Sequence, residues 1–281
     1  MHHSSLTAAG PASTEELARR IRCRALEMVT RAKASHVGSA LSIADIVAVL
    51  YGRTLRVDPG APNDPERDRF ILSKGHACVA VYAALAETGF IDPALLKTYG
   101  TDGSSLMAHI SHKVPGAEFS TGALGHGLPF GTGKALAAKR QAKDWRTIVL
   151  TSDGEWDEGS NWEAALFAAH HKLDNLLCII DYNKLQSLTS IDETLRLEPL
   201  HSKFDAFGWA VQEVDGHDHD ALLNALDIGS WPAEKPAMLI AHTVKGKGVS
   251  FMENRVEWHY RNPTAELLAQ ALAEIEGTHH A

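Results

Sequence analysis

The sequence predicts a doubly wound α/β fold, a mostly parallel sheet with helices on both faces. Three observations carry this expectation. Short β-rich apolar runs alternate with helical segments along the chain, and turns of small residues separate them. The stretch 146–183 reads as strand, acidic turn, helix and strand, a unit of a length at which the two strands run parallel.

The elements follow in order. Residues 1–14 are expected to be a flexible tail, 15–262 one domain, and 263–281 a helix and tail. Ser13 with Glu16 three residues on is a capping box that opens the first helix, where apolar residues recur at helical spacing. SIADIVAVLYG (42–52) reads as a second helix, VDPGAPNDPERD (57–68) as a surface loop, and RFILS (69–73) as a short strand. GHACVAVYAALAETG (75–89) and PALLKTYG (93–100) read as further helices. Gly122, Gly125, Gly127, Gly131 and Gly133 crowd a loop and the helix after it, where backbone approaches something closely. RTIVLT (146–151), GSNWEAALFAAHH (159–171) and NLLCIIDY (175–182) form the central unit. Residues 201–226 give a helix, a strand and a helix, and PAMLIAHTV (236–244) closes the sheet.

Bulk properties narrow the function. A chain of 281 residues buries a large core, and 44% hydrophobic with 22% charged residues is ordinary for a soluble globular protein. Lys+Arg 27 against Asp+Glu 35 leaves a net charge of −8, so nucleic-acid binding has no electrostatic support. Cys23, Cys78 and Cys178 make no C-x-x-C pair and sit in apolar surroundings, which predicts buried free thiols in a reducing compartment. No stretch approaches a membrane span and the first ten residues lack a signal-peptide core, so a cytoplasmic location is expected. His2, His3, His279 and His280 lie in polar termini and are set aside.

The chemistry concentrates in 152–183. A right-handed crossover puts Asp153 and Asn183 just beyond the carboxyl ends of two strands of one sheet, where open α/β sheets bind ligands. Two hard oxygen ligands suit Mg²⁺ or Ca²⁺, with phosphate oxygens and water completing the shell. The implied cofactor is a diphosphate.

Asp153-Gly154, then Asn183 about thirty residues on, resembles the thiamine diphosphate motif, with Ser152 in place of its usual first glycine. SHVGSALSIADI (35–46), DRFILSKGHACVAVYAAL (68–85), HISHKVPGAEFSTGALGHGLPFGTGKALAAK (109–139) and HTVKGKGVSFMENRVEWHY (242–260) add to it. In this order, from about residue 15 to about 262, they resemble the amino-terminal, diphosphate-binding half of transketolases. The resemblance implies thiamine diphosphate and Mg²⁺, with Ca²⁺ able to substitute, and Asp153, Asn183 and the Leu185 carbonyl as metal ligands. It implies cofactor contacts from Gly122, Ala123 and Leu124, from Gly154 and Glu155, and from His76 and His259.

His36, His76, His109 and His259 match the family's channel histidines. Imidazoles suit that task because sugar hydroxyls need holding and protons need moving near neutral pH. Any one alone would read as a structural histidine; four together read as a channel. His109 stands in Ala-His-Ile where the family often has Gly-His-Pro, and His112 competes with it. As an i, i+3 pair those two lack a third zinc ligand. His126 is a secondary cofactor neighbour. Glu158, a catalytic candidate, and Glu163 resemble family acids between paired cofactor sites, or are helix-start carboxylates. Lys245 and Lys247 either reach phosphate or flank a glycine-rich turn. Gly131 to Lys134 is no phosphate loop, because Leu128 and Ala135 occupy its defining positions. His170, His171, His201 and His242 read as structural or exposed, and 217–220 as the cap of a helix starting near Ala221.

In transketolases the glutamate that activates the cofactor lies in a downstream pyrimidine-binding domain. The resemblance therefore implies an amino-terminal subunit whose partner carries that domain, working as an α2β2 particle on sugar phosphates. The expected reaction is transfer of a two-carbon ketol unit from a ketose phosphate to an aldose phosphate. The alternatives are condensation of pyruvate with a triose phosphate, as in deoxyxylulose-phosphate synthase, and a non-catalytic cofactor-binding regulatory subunit.

Overall fold

The computed structural model describes residues 13–277. Most of the expected amino-terminal tail, together with His2, His3, His279 and His280, lies outside the described residues. Ser13 caps α1 (Thr14–Ala32), its side chain accepting from the Glu16 N–H at 3.2 Å, as the capping box predicts. The expected second helix starts earlier and is broken: α2 (Val37–Ser42) and α3 (Ala44–Val49) are separated at Ile43, and a wide turn continues to Thr54. Strand β1 (Arg69–Leu72) leads through a 3₁₀ turn, Gly75–Ala77, into α4 (Cys78–Glu87). The segment after it, Pro93–Thr98, is a 3₁₀ helix rather than an α-helix.

The second half is α5 (Gly127–Arg140), β2 (Thr147–Ser152), α6 (Gly159–His170), β3 (Leu176–Tyr182), α7 (Ile191–Thr194), α8 (Leu200–Ala206), β4 (Ala210–Asp215), α9 (His219–Ala225), β5 (Ala237–His242) and α10 (Ala265–Glu276). The sheet is parallel throughout, in the order β1-β2-β3-β5-β4. Helix α9 opens two residues earlier than expected, with Asp218 as its cap.

Every residue of β2 and β3 is buried, as a strand covered on both faces requires. Alternation then sorts the core into two layers. Phe70, Leu72, Ile148, Leu150, Leu177 and Ile179 pack with α1, α3 and α4, while Ile71, Val149, Cys178, Ile180, Met238 and Ile240 pack with α5, α6 and α8. Helix α10 lies on the first layer through Ala271, Leu268 and Leu272. Cys78 and Cys178 are buried free thiols, but Cys23 is only partly buried, because α1 turns it toward its charged face.

Close approach of α5 to the sheet explains one of the crowded glycines. A Cβ on Gly131 would lie 2.5 Å from Val149 Cγ2, on a strand that cannot recede. Gly131→Ala is expected to lower unfolding stability by about 1–3 kcal/mol, the usual cost of overpacking. Urea denaturation with an unchanged slope measures it, and an unchanged midpoint would mean that the two layers are looser than described.

Candidate active site

Four neighbouring strands end at one edge, and each hands a polar residue to the same place. Strand β1 runs into Ser73 and Lys74, β2 into Asp153, β3 carries Asp181 and runs into Asn183, and β5 runs into Thr243 and Lys245. The register makes this convergence, since Leu72 pairs Leu150, Ser152 pairs Asp181 and Tyr182 pairs His242. A cavity of about 260 Å³ opens there. Its lining includes His36, His76, His109 and His259, together with Gly122, Leu124, Asp153, Gly154, Asn183 and Leu185, and Lys245 joins the two groups by reaching both His259 and the Leu185 carbonyl.

The four histidines come from different parts of the chain. His36 caps α2 at φ 75, a left-handed conformation costly for a side-chain-bearing residue, and its N–H donates to the His259 carbonyl at 2.7 Å. Gly75 lies so close to Thr121 that a Cβ would meet Oγ1 at 2.4 Å, which sets His76 in the turn after β1. The Ile110 N–H donates to the Gly75 carbonyl at 3.0 Å, bringing His109 alongside. Ring centroids lie 4.9 Å apart for His36 and His259, 5.1 Å for His36 and His76, and 5.9 Å for His36 and His109.

Burial and nearby positive charge hold three of these rings, His36, His76 and His259, neutral. Burial, then His109 and the two lysines Lys245 and Lys74, pull His36 down to about 4. Burial and then Lys245 bring His259 to about 3, and burial with Lys74 holds His76 well below its ordinary value of 6.5. Neutral imidazoles both donate and accept, which suits holding sugar hydroxyls and relaying protons.

Elsewhere in the lining the Asp153 carboxylate accepts from the N–H groups of Gly154 at 2.7 Å and Lys184 at 2.6 Å. Burial, and next the charge of Asp181, raise it to about 7, so a cation beside it would be stabilising. Asn183 gives its amide nitrogen to Asp181 at 2.9 Å, while its oxygen accepts from the Leu185 N–H at 3.1 Å. The Leu185 carbonyl accepts from Lys245 at 3.0 Å. A carboxylate, an amide oxygen and a carbonyl form a hard-oxygen set that fits Mg²⁺ or Ca²⁺, with buried Lys74 and Lys245 suited to phosphate charge.

Other candidates fall elsewhere. Ala123 is exposed and does not line the cavity, and His126 is exposed with its ring against the Leu124 carbonyl. Glu155 is buried below the cavity, accepting from Ser73, from the Gly125 N–H at 2.9 Å and from the Ser152 N–H at 3.3 Å; it braces backbone. Glu158 is exposed at the start of α6, away from the cavity lining, and Glu163 lines a separate groove with Leu136 and Phe167. His112 holds Ser120, and Lys247 lies beside Glu253. His201 and His242 flank Glu213 at 3.0 and 2.8 Å.

Sequence reasoning missed Lys74, Asp181, Gln186 and Tyr260 at this site. Two carried a signal. Lys74 directly follows an apolar strand, and Asp181 is a charge inside one, where an ion needs a partner.

A family profile described as the transketolase thiamine diphosphate binding domain matches residues 13–275. An apulose-4-phosphate transketolase subunit of Phocaeicola vulgatus is 44% identical over 254 residues, 90% of this chain and 90% of that protein. The 6-deoxy-6-sulfo-D-fructose transketolase subunit SqwG of Clostridium sp. (strain MSTE9) is 41% identical over 257 residues, 91% and 94% of the two chains. Human transketolase is 36% identical over 262 residues, 93% of this chain but 42% of its own. The solved transketolase from Leishmania mexicana superposes with a TM-score of 0.90 at 31% identity, over 94% of this chain and 41% of that one.

The lowered histidines make stability depend on pH. An unfolded imidazole takes its proton near pH 6.5, whereas folded His36 and His259 resist until about 4 and about 3, so acid favours the unfolded chain. Asp153 and Glu155, raised by burial, act in the opposite sense, so the test is a difference. Between pH 6.5 and 4 a His36→Gln/His259→Gln variant should lose less melting temperature than the wild type. Parallel curves would mean that the two rings are hydrated.

Proposed function

We infer the function from one premise: this chain belongs to the transketolase family and is its thiamine diphosphate-binding domain. From it we propose that the chain is the amino-terminal subunit of a two-subunit transketolase. It moves a two-carbon ketol unit from a ketose phosphate to an aldose phosphate with thiamine diphosphate and Mg²⁺, for which Ca²⁺ substitutes. The observation that carries the reading is the cavity itself, where four histidines and a hard-oxygen set line one space of about 260 Å³.

Thiamine diphosphate, when bound, supplies the carbanion and electron sink that ketol transfer needs. The rest falls to this chain's residues. Asp153, Asn183 and the Leu185 carbonyl would hold the metal, and Lys74 and Lys245 would offset phosphate charge. Gly122 and Leu124 offer backbone at the cavity wall. His36, His76, His109 and His259 would hold substrate hydroxyls and pass protons. Glu158 lies outside the lining and does not share that task, and we keep it, with Glu163, at the surface where two such units would meet. The groove of about 360 Å³ beside Glu163, with exposed Phe167, supports that assignment.

A partner carrying the pyrimidine-binding domain completes the pocket in this reading. Its support is that the relatives named as subunits match this chain nearly end to end, whereas human transketolase extends well beyond the match. The assembled particle is proposed to be α2β2. Its substrates are ketoses with a terminal anion, in keeping with the relatives' named phosphate and sulfonate sugars.

Two outcomes are expected. The purified chain should show no ketol transfer with Mg²⁺ and thiamine diphosphate, and should gain it when joined to a chain bearing the pyrimidine domain. Robust turnover by the chain alone would overturn the split arrangement. Asp153→Ala should weaken metal-dependent cofactor binding by at least about 100-fold, more than loss of an outer-sphere partner would. Equilibrium dialysis in the assembled enzyme reads this, and unchanged affinity would remove the metal assignment.

A further inference from the structure

A buried charge cluster at the start of α3 takes no part in the chemistry above. Asp45, at the start of α3, is 5% exposed and meets three basic side chains. Arg22 donates to it with both terminal nitrogens, at 3.0 Å to Oδ1 and 2.5 Å to Oδ2. His219 Nε2 lies 3.1 Å from Oδ1, with its Nδ1 on the Thr14 hydroxyl at 2.9 Å, and His217 Nδ1 lies 2.6 Å from Oδ2. Burial pushes the Asp45 carboxyl up, but the hydrogen bonds of His217 and His219 and the Arg22 charge outweigh it and hold it ionised.

The cluster is joined to backbone on its other side. The Val244 N–H donates to His217 Nε2 at 2.9 Å, so the ring proton sits on Nδ1, facing Asp45. Arg22 Nε donates to the Lys247 carbonyl at 3.2 Å. Both ends of segment 244–247 are therefore held from outside. Between them Lys245 points inward and is 1% exposed, its ammonium 2.8 Å from the Gln186 carbonyl, 3.0 Å from the Leu185 carbonyl and 3.2 Å from His259 Nδ1.

We propose that His217 is a positioning residue for the active site: braced by Asp45 and Arg22, it fixes segment 244–247 so that Lys245 keeps its ammonium where the cofactor's diphosphate binds. The inference rests on the cofactor reading above. The ring does two jobs at once, donating to a buried anion and accepting from the strap. The groups at the tip of Lys245, two carbonyls and an imidazole, reach it only while its own backbone stays in place, and ordering the ammonium beforehand raises affinity for a phosphate group.

The test uses the full chain and, as probe, Mg²⁺ with inorganic pyrophosphate, measured by titration calorimetry. His217→Asn keeps a donor toward Asp45 but does not reach Val244; His217→Gln reaches Val244 with its side-chain carbonyl. His217→Asn should weaken pyrophosphate by about tenfold or more, the scale of losing an outer-sphere partner, and His217→Gln should stay within about threefold of wild type. In a Lys245→Met background His217→Asn should cost nothing further, since both act through one ammonium. Amide exchange in 244–247 should quicken in His217→Asn while β2 and β3 stay protected. Additive losses, or equal affinity for folded wild type and His217→Asn, would overturn the proposal. Should His217→Asn not fold, Asp45→Asn enters the same cycle with the same non-additive outcome expected. Failure of the wild type to bind Mg²⁺ and pyrophosphate would instead overturn the cofactor reading, and the inference with it.

Discussion

A single buried anion organises this sheet edge. Asp181 sits near the end of an otherwise apolar strand with no exposure, and removing a carboxylate from water costs several kcal/mol unless its oxygens are satisfied. They are. Oδ2 accepts from Lys74, from Ser42 Oγ at 2.8 Å and from Asn183 Nδ2 at 2.9 Å, and Oδ1 accepts from Thr243. Burial pushes the Asp181 carboxyl up, but the Lys74 charge and these hydrogen bonds bring it below its usual range. The donors come from the ends of β1 and β5, from α2 and from the residue after β3. Losing the anion would leave Lys74 buried without a counter-charge, so the chain ends that form the cavity stand or fall together.

The same arrangement sets the chemistry of the rest of the lining. The Asn183 amide nitrogen is turned to Asp181, which leaves its oxygen to accept from the Leu185 N–H at 3.1 Å. Lys74 and Lys245 are both buried here, and each depresses the basicity of His36, His76 and His259. The lysines and the histidines are thus coupled through charge. Whatever fixes the lysines also fixes how readily the histidines carry a proton.

Much of this was legible in the sequence because it rests on local rules. Alternating apolar runs located all five strands, and the Ser13 to Glu16 spacing located the first helix start. Asp153, Asn183, His36, His76 and His259 stand at or beside element ends, where sequence position and spatial position nearly coincide, whereas His109 lies within the loop before α5. What was not legible depends on tertiary contact. Nothing near Asp45 indicates that His217 and His219, far along the chain, would reach it, and a turn rich in His and Asp reads as a cap by itself. The break at Ile43 was likewise hidden, since helical periodicity continues through it. Glu155 and Glu158 belong to one acidic turn, yet one is buried on Ser73 and the other exposed. A 3₁₀ turn at Gly154–Asp157 makes that division, and spacing alone does not reveal it.

The strand order has a consequence for how the chain is made. Among the described residues β4 is an edge strand whose neighbour is β5, and β5 separates it from β3. During synthesis β4 emerges before β5, so it has no strand to join, and the open flank of β3 waits for a segment not yet translated. An unpaired flank of this kind is a template for pairing with other chains. Both gaps close in one event, when 237–242 slides between its neighbours, and that event also delivers Thr243 to Asp181. Closure of the sheet and delivery of Thr243 to Asp181 therefore depend on the same segment, and a ribosome stalled before residue 237 would hold a chain that still lacks both.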